Sequence, residues 1–73
     1  MARVEVTASI AGIVLRLEAA EGAHVSEGEP ILILESMKME IPVEAPCAGR
    51  VVRLHVAVDG AVAEGDVVAT VES

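Results

Sequence analysis

The chain has no phenylalanine, tyrosine or tryptophan. Its core must therefore be assembled from valine, isoleucine, leucine, alanine and methionine. A single cysteine, Cys47, excludes an intrachain disulfide. It reads as a small buried hydrophobe in a reducing, cytoplasmic setting, and stability has to come from packing alone. Basic residues are scarce: five Lys and Arg stand against twelve Asp and Glu, a formal charge of −7. Such a surface is repelled by phosphate backbones and acidic lipid, so neither nucleic acid nor a membrane is an expected partner. Long apolar runs are missing too. The longest is "ILIL" at 31–34, so the N-terminal "MARVEVTASIAG" is expected to be neither a signal peptide nor a membrane span. With seventy-three residues the chain reads as one small domain, 1–73, of the size at which a single core is only just sufficient.

What the sequence does have is an internal copy of itself. Residues 6–36 lie over residues 43–73 without a gap. Ala11-Gly12 falls on Ala48-Gly49, Arg16-Leu17 on Arg53-Leu54, Glu27-Gly28 on Glu64-Gly65 and Glu35-Ser36 on Glu72-Ser73. Each half alternates polar and apolar residues with period two, in "RVEVT", "VLRLEA", "VVRLHVAV" and "VVATVE". Gly12 and Gly49 open strands, while "EGAHVSEGEP" and "DGAVAEGD" supply turns at matching places. Gly22-Ala23 is opposed by Asp59-Gly60, so those two turns need not share one geometry. No segment sustains a helical period. The expected fold is all-β: a small flattened barrel or sandwich of two antiparallel sheets, with a quasi-twofold axis and the two halves burying their apolar faces against each other.

The segment "MKMEIP", 37–42, then connects the halves, with the junction itself at Met37-Lys38. No glycine, asparagine or aspartate is nearby, although tight hairpins favour them because the central residues need positive φ. A local rule broken without structural reward marks a functional position. Lys38 is therefore expected on an exposed hairpin tip. Catalytic lysines sit where the amine is stripped of water, and a tip offers no such place. Other catalytic or metal sites find no support: His24 and His55 occupy non-equivalent repeat positions and read as surface histidines, and Ser9, Ser26 and Ser36 lack a glycine-framed elbow. A lysine that does no chemistry of its own can still be the place where a reactive group is attached.

The run "GEPILILESMKMEIPVEAPCAGRV", with the paired glycine-led strand openings, closely resembles the attachment sequence of the biotinyl/lipoyl carrier family over essentially the whole chain. It is most similar to single-domain bacterial biotin carboxyl carrier and biotin/lipoyl attachment proteins. Ser36 stands where alanine is common, and "ASIAG" lacks the prolines often found there. No insertion corresponding to the "thumb" of some acetyl-CoA carboxylase carriers interrupts the repeat, and no Ala/Pro-rich linker is expected.

The resemblance implies a non-catalytic domain, monomeric by itself, whose Lys38 receives biotin from a biotin protein ligase. It implies carboxyl shuttling between a biotin carboxylase and a carboxyltransferase, as in acetyl-CoA carboxylase and fatty acid biosynthesis. Met37 and Met39 become recognition contacts for these enzymes, and Glu35 and Glu40 either steer the ligase or support the turn. The alternative is a lipoyl-bearing or dual biotin/lipoyl carrier of an oxo-acid dehydrogenase-type complex. Lipoyl domains usually place Asp before the lysine and Ala after it, so Met37 and Met39 favour biotin. A third possibility is an interaction domain with an unmodified lysine.

Overall fold

The computed structural model describes residues 2–73. Eight strands follow one another: β1 (Arg3–Thr7), β2 (Gly12–Leu17), β3 (His24–Val25), β4 (Pro30–Ser36), β5 (Met39–Glu44), β6 (Gly49–Leu54), β7 (Ala61–Val62) and β8 (Val67–Glu72). No helix occurs among the described residues. The strands form two four-stranded antiparallel sheets, the first in the order β1-β8-β6-β3 and the second in the order β5-β4-β2-β7. Moving each strand of the first sheet by one repeat yields the second. The quasi-twofold sandwich expected from the repeat is the fold.

The halves do not each make a sheet: β1 and β3 join β6 and β8, while β5 and β7 join β2 and β4. The short links 8–11 and 45–48 cross from one sheet to the other instead of closing hairpins. Interleaving makes each half depend on the other for its backbone partners, so neither half can bury its apolar face alone. The core lies between the sheets, with Val14, Ile31, Leu32, Leu34, Val51, Val68 and Val71 wholly buried. Cys47 is only partly buried and packs against the rim of this cluster.

The hydrogen bonds outside the strands obey the same symmetry. Gly22 N–H donates to the Val51 carbonyl at 2.7 Å, and Asp59 N–H donates to the Val14 carbonyl at 2.8 Å. Gly28 N–H reaches Ala45, and Gly65 N–H reaches Ala8, both at 2.8 Å. The turns at Gly22 and Asp59 therefore share one geometry after all, with φ of 91° and 73°. Aspartate tolerates the left-handed region well enough to stand in for glycine. Bulges also recur in pairs, at Val14/Arg16 and Val51/Arg53, keeping the valine in the core and pairing each arginine with an outward-facing neighbour.

The extents are 36 × 18 × 18 Å. Four strands abreast at ~4.8 Å and two sheets ~10 Å apart account for the short dimensions, so the long axis runs along the strands. The turn after β4 stands at one end of it. Its quasi-twofold counterpart at the other end is the pairing of Ser73 with Ala2, where Ser73 N–H donates to the Ala2 carbonyl at 2.9 Å.

Candidate functional site

β4 is the chain's most apolar stretch, with Ile31 to Leu34 all buried. Its continuation changes character abruptly: Glu35 is exposed, Ser36 half-buried, and Met37, Lys38, Met39 and Glu40 are exposed. Ser36 pairs with Met39, which leaves Met37 and Lys38 as a two-residue turn. Both have positive φ, 52° and 66°, as a primed hairpin turn requires. For residues with a Cβ this region costs roughly 1–2 kcal/mol each. The connection is thus shorter than 37–42, because Met39 to Pro42 already belong to β5. Extending the ladder up to the turn satisfies backbone groups that a longer loop would leave to solvent.

Two strands of well-packed sandwich hold this strained turn in place. Met37 is 87% exposed and Met39 58%. Lys38 takes part in none of the ion pairs among the described residues, all of which use arginines. Its ammonium is presented to solvent on a fixed base. Such a lysine is open to approach from many directions and starts from a defined orientation.

Behind the turn, Glu35 and Glu40 face each other across β4 and β5, and Ile13 of β2 is Glu35's neighbour on the other side. The next cross-strand row is Arg16–Ile33–Pro42. Arg16 Nε donates to Glu18 at 3.1 Å and Arg16 Nη2 to Glu40 at 3.3 Å. The hydrogen bond to the Glu18 carboxylate holds the Arg16 guanidinium above its usual pKa, desolvation opposes this, and Glu40 adds to the rise. Glu40 is therefore anchored on the outer face, while Glu35 has no cation beside it in its row.

Of the motif residues, then, Lys38, Met37 and Met39 share the tip, and Glu35 and Glu40 stand together one step behind it. Ile13, Arg16 and Ile33 belong to the same face but escaped the motif, since in sequence they resemble ordinary strand residues. The signal that could have found them lies in the repeat: Ile13 falls on Arg50 and Ile33 on Thr70. His24 and His55 are exposed, far from the motif in sequence, and His55 Nε2 lies 2.9 Å from Thr70 Oγ1. Among the described residues no group of His, Cys, Asp or Glu is placed to hold a metal.

Comparison with known proteins is consistent with this geometry. The family model described as "Biotin-requiring enzyme" matches residues 2–71. A relative in Mycolicibacterium smegmatis, a biotinylated protein TB7.3 homolog, is 49% identical over 41 residues, 56% of this chain and 58% of that protein. The rice methylcrotonoyl-CoA carboxylase subunit alpha, mitochondrial, is 45% identical over 40 residues, 55% of this chain but 5% of its own length. Among solved structures, the urea carboxylase of Kluyveromyces lactis superposes on 99% of this chain with a TM-score of 0.93 and 29% identity. A single-chain, multi-domain long-chain acyl-CoA carboxylase does so over 93%, with a TM-score of 0.87 and 35% identity. The matched part is 6% and 7% of those two chains.

Proposed function

The chain belongs to the biotinyl/lipoyl carrier family, and from that premise we propose that Lys38 is its attachment residue and that the domain serves as the biotin carboxyl carrier of a multi-component biotin-dependent carboxylase. The observation that carries this reading is the two-residue turn at Met37-Lys38, which holds positive φ without glycine and exposes the amine beyond the sandwich. Lys38 fits an amide-linked group: it is exposed, and no carboxylate among the described residues forms an ion pair with it.

In the attachment step a biotin protein ligase supplies biotinyl-adenylate. The free amine of Lys38 attacks the acyl carbon, AMP departs, and the amine loses a proton as the amide forms. Once attached, biotin supplies a ring nitrogen that accepts and releases a carboxyl group. The chain's own contribution is positional. Tethering converts two diffusional encounters, with a biotin carboxylase and with a carboxyltransferase, into movements of one body at high effective concentration. Met37 and Met39, exposed and flexible, suit contact with several enzymes in turn, and Glu35 and Glu40 place negative charge where the ligase approaches. An acyl-CoA is the acceptor class we favour, acetyl-CoA included, with a role in fatty acid synthesis in the cytoplasm. The chain acts as a monomer.

Co-expression with a biotin protein ligase should raise the intact mass by one biotinyl group, mapped by peptide sequencing to Lys38 and lost in Lys38→Arg. A protein that stays unmodified overturns the reading, and an adduct of lipoate in its place moves the chain to the lipoyl alternative. Met37→Asp with Met39→Ala should shift labelling toward lipoate when both ligases are offered.

A further inference from the structure

The internal repeat furnishes two copies of one sheet surface, and only one of them adjoins Lys38. On the first sheet the cross-strand row at the Ala2–Ser73 end is Arg50–Glu72–Arg3. Glu72 is held there by Arg3 Nε at 3.1 Å and by Arg50 Nη2 at 3.9 Å. The equivalent row on the second sheet, just behind the turn, is Ile13–Glu35–Glu40. Each position of an arginine has been replaced, one by an isoleucine and one by a second glutamate. In the next row Arg53–Thr70–Glu5 becomes Arg16–Ile33–Pro42. Both surfaces have the same backbone, so fold stability does not require the difference. It works against stability: like charges directly opposite each other repel, and Ile13 is left 42% exposed. Ile33, outside the core cluster, is left only 6% exposed beneath the exposed Ile13 and Pro42, so this face carries an apolar centre. Around that centre lie Glu18, Glu35, Glu40 and Glu44, with Arg16 among them.

We infer that the outer face of the second sheet is the docking surface for the enzyme that modifies Lys38. That enzyme seats an apolar side chain against Ile13 and Pro42 and surrounds it with lysine or arginine. The first sheet, with three arginines and two glutamates in the same rows, takes no part. Charge complementarity selects the partner's chemistry, since an acidic rim around an apolar centre calls for a basic rim around an apolar anchor. The geometry selects the modifying enzyme over those acting later. Attachment requires Nζ itself at the reaction centre, which brings the sheet behind the turn against the enzyme. After attachment the reactive atom lies at the end of a long arm, and the body can stand further off. This inference rests on Lys38 being the acceptor.

The test is steady-state biotinylation of the purified unmodified chain by a biotin protein ligase, with exchange of residues between the two faces. Ile13→Arg gives the second sheet what the first already tolerates, and Arg50→Ile is the reciprocal control. We expect Ile13→Arg to raise KM about tenfold with kcat unchanged, the signature of lost ground-state binding. Arg50→Ile should leave KM within about twofold, because exposed ion pairs contribute little. KM of the wild-type chain should rise with added salt, which screens the rim. Thermal melts establish that each variant is folded, and Ile13→Ser, which adds no charge, should raise KM in the same direction if Ile13→Arg is not. A wild-type KM in a folded Ile13 variant, an equal loss in Arg50→Ile, or a KM insensitive to salt overturns the inference. So does a concentration-dependent dimer that Ile13→Arg dissociates. If the wild-type chain is not labelled at all, the assignment of Lys38 fails first and the docking surface falls with it.

Discussion

At Met37 and Lys38 two residues with ordinary side chains occupy backbone conformations that glycine and asparagine adopt more easily. Relieving them should stabilise the domain while damaging its use. Met37→Asn is expected to gain about 1 kcal/mol, read as a higher urea midpoint at unchanged slope. Lys38→Gly should gain a similar amount and lose all labelling. A midpoint that falls in both would show that the turn is not strained. The lysine and its turn were legible in sequence because they lie at the seam of an ungapped repeat, where a hairpin is required and no turn residue is available. The anchoring of Glu40 by Arg16 was not legible. It depends on the bulge between Val14 and Arg16, which alternation alone does not reveal. Pairing with Glu18 and Glu40 raises the Arg16 pKa, so its contribution is present throughout the neutral range. It is lost as pH rises through Arg16's own strongly alkaline titration, and no pH dependence near neutrality is expected from it.

Among the elements, β2 and β6 open on glycines whose role is steric. A Cβ on Gly12 would lie 2.7 Å from the Glu35 carbonyl oxygen, and one on Gly49 would collide with the Glu72 carbonyl. Neither obstacle is a side chain that could swing away, so Gly49→Ala should destabilise the domain by about 1–3 kcal/mol or more by displacing β8. Gly12→Ala pushes on β4 just before the turn, and should lower labelling as well as the thermal midpoint. A melt of Gly49→Ala indistinguishable from wild type would contradict the close approach. Period-two patterning located four of the eight strands, β1, β2, β6 and β8, and β8 coincides with "VVATVE". It could not identify partners. Alternation says which face a side chain occupies, whereas sheet membership depends on contacts distant in sequence. Hence the interleaving of the halves emerges only in three dimensions. "VVRLHVAV" likewise ends as a strand at Leu54, after one last bond to β8 from His55 N–H to the Val68 carbonyl at 2.9 Å.

For the molecule as a whole, the quasi-twofold makes the pairing of Ala2 with Ser73 the counterpart of the Met37-Lys38 turn. A circular permutant joined through Asn-Gly between Ser73 and Ala2 and opened between Met37 and Lys38 should therefore fold. Its melting temperature should stay within ~5 °C of the parent. It should label poorly even though Lys38 is present, because a frayed end no longer presents the amine on a fixed base. Circular dichroism and intact mass would measure the two effects, and a permutant that labels at the parental rate would show that any accessible lysine suffices.

The placement of those paired ends also governs how an attached group explores space. If the domain is held by its ends, the body becomes a rigid boom along its 36 Å axis, with Lys38 at the far tip. A small pivot at the held end then sweeps the tip through an arc whose radius is set by the sandwich, before the lysine side chain moves at all. Lateral travel comes from rotation of the whole domain, while fine insertion is left to the side chain. Softening the sandwich would blunt the aim of that sweep without shortening its radius.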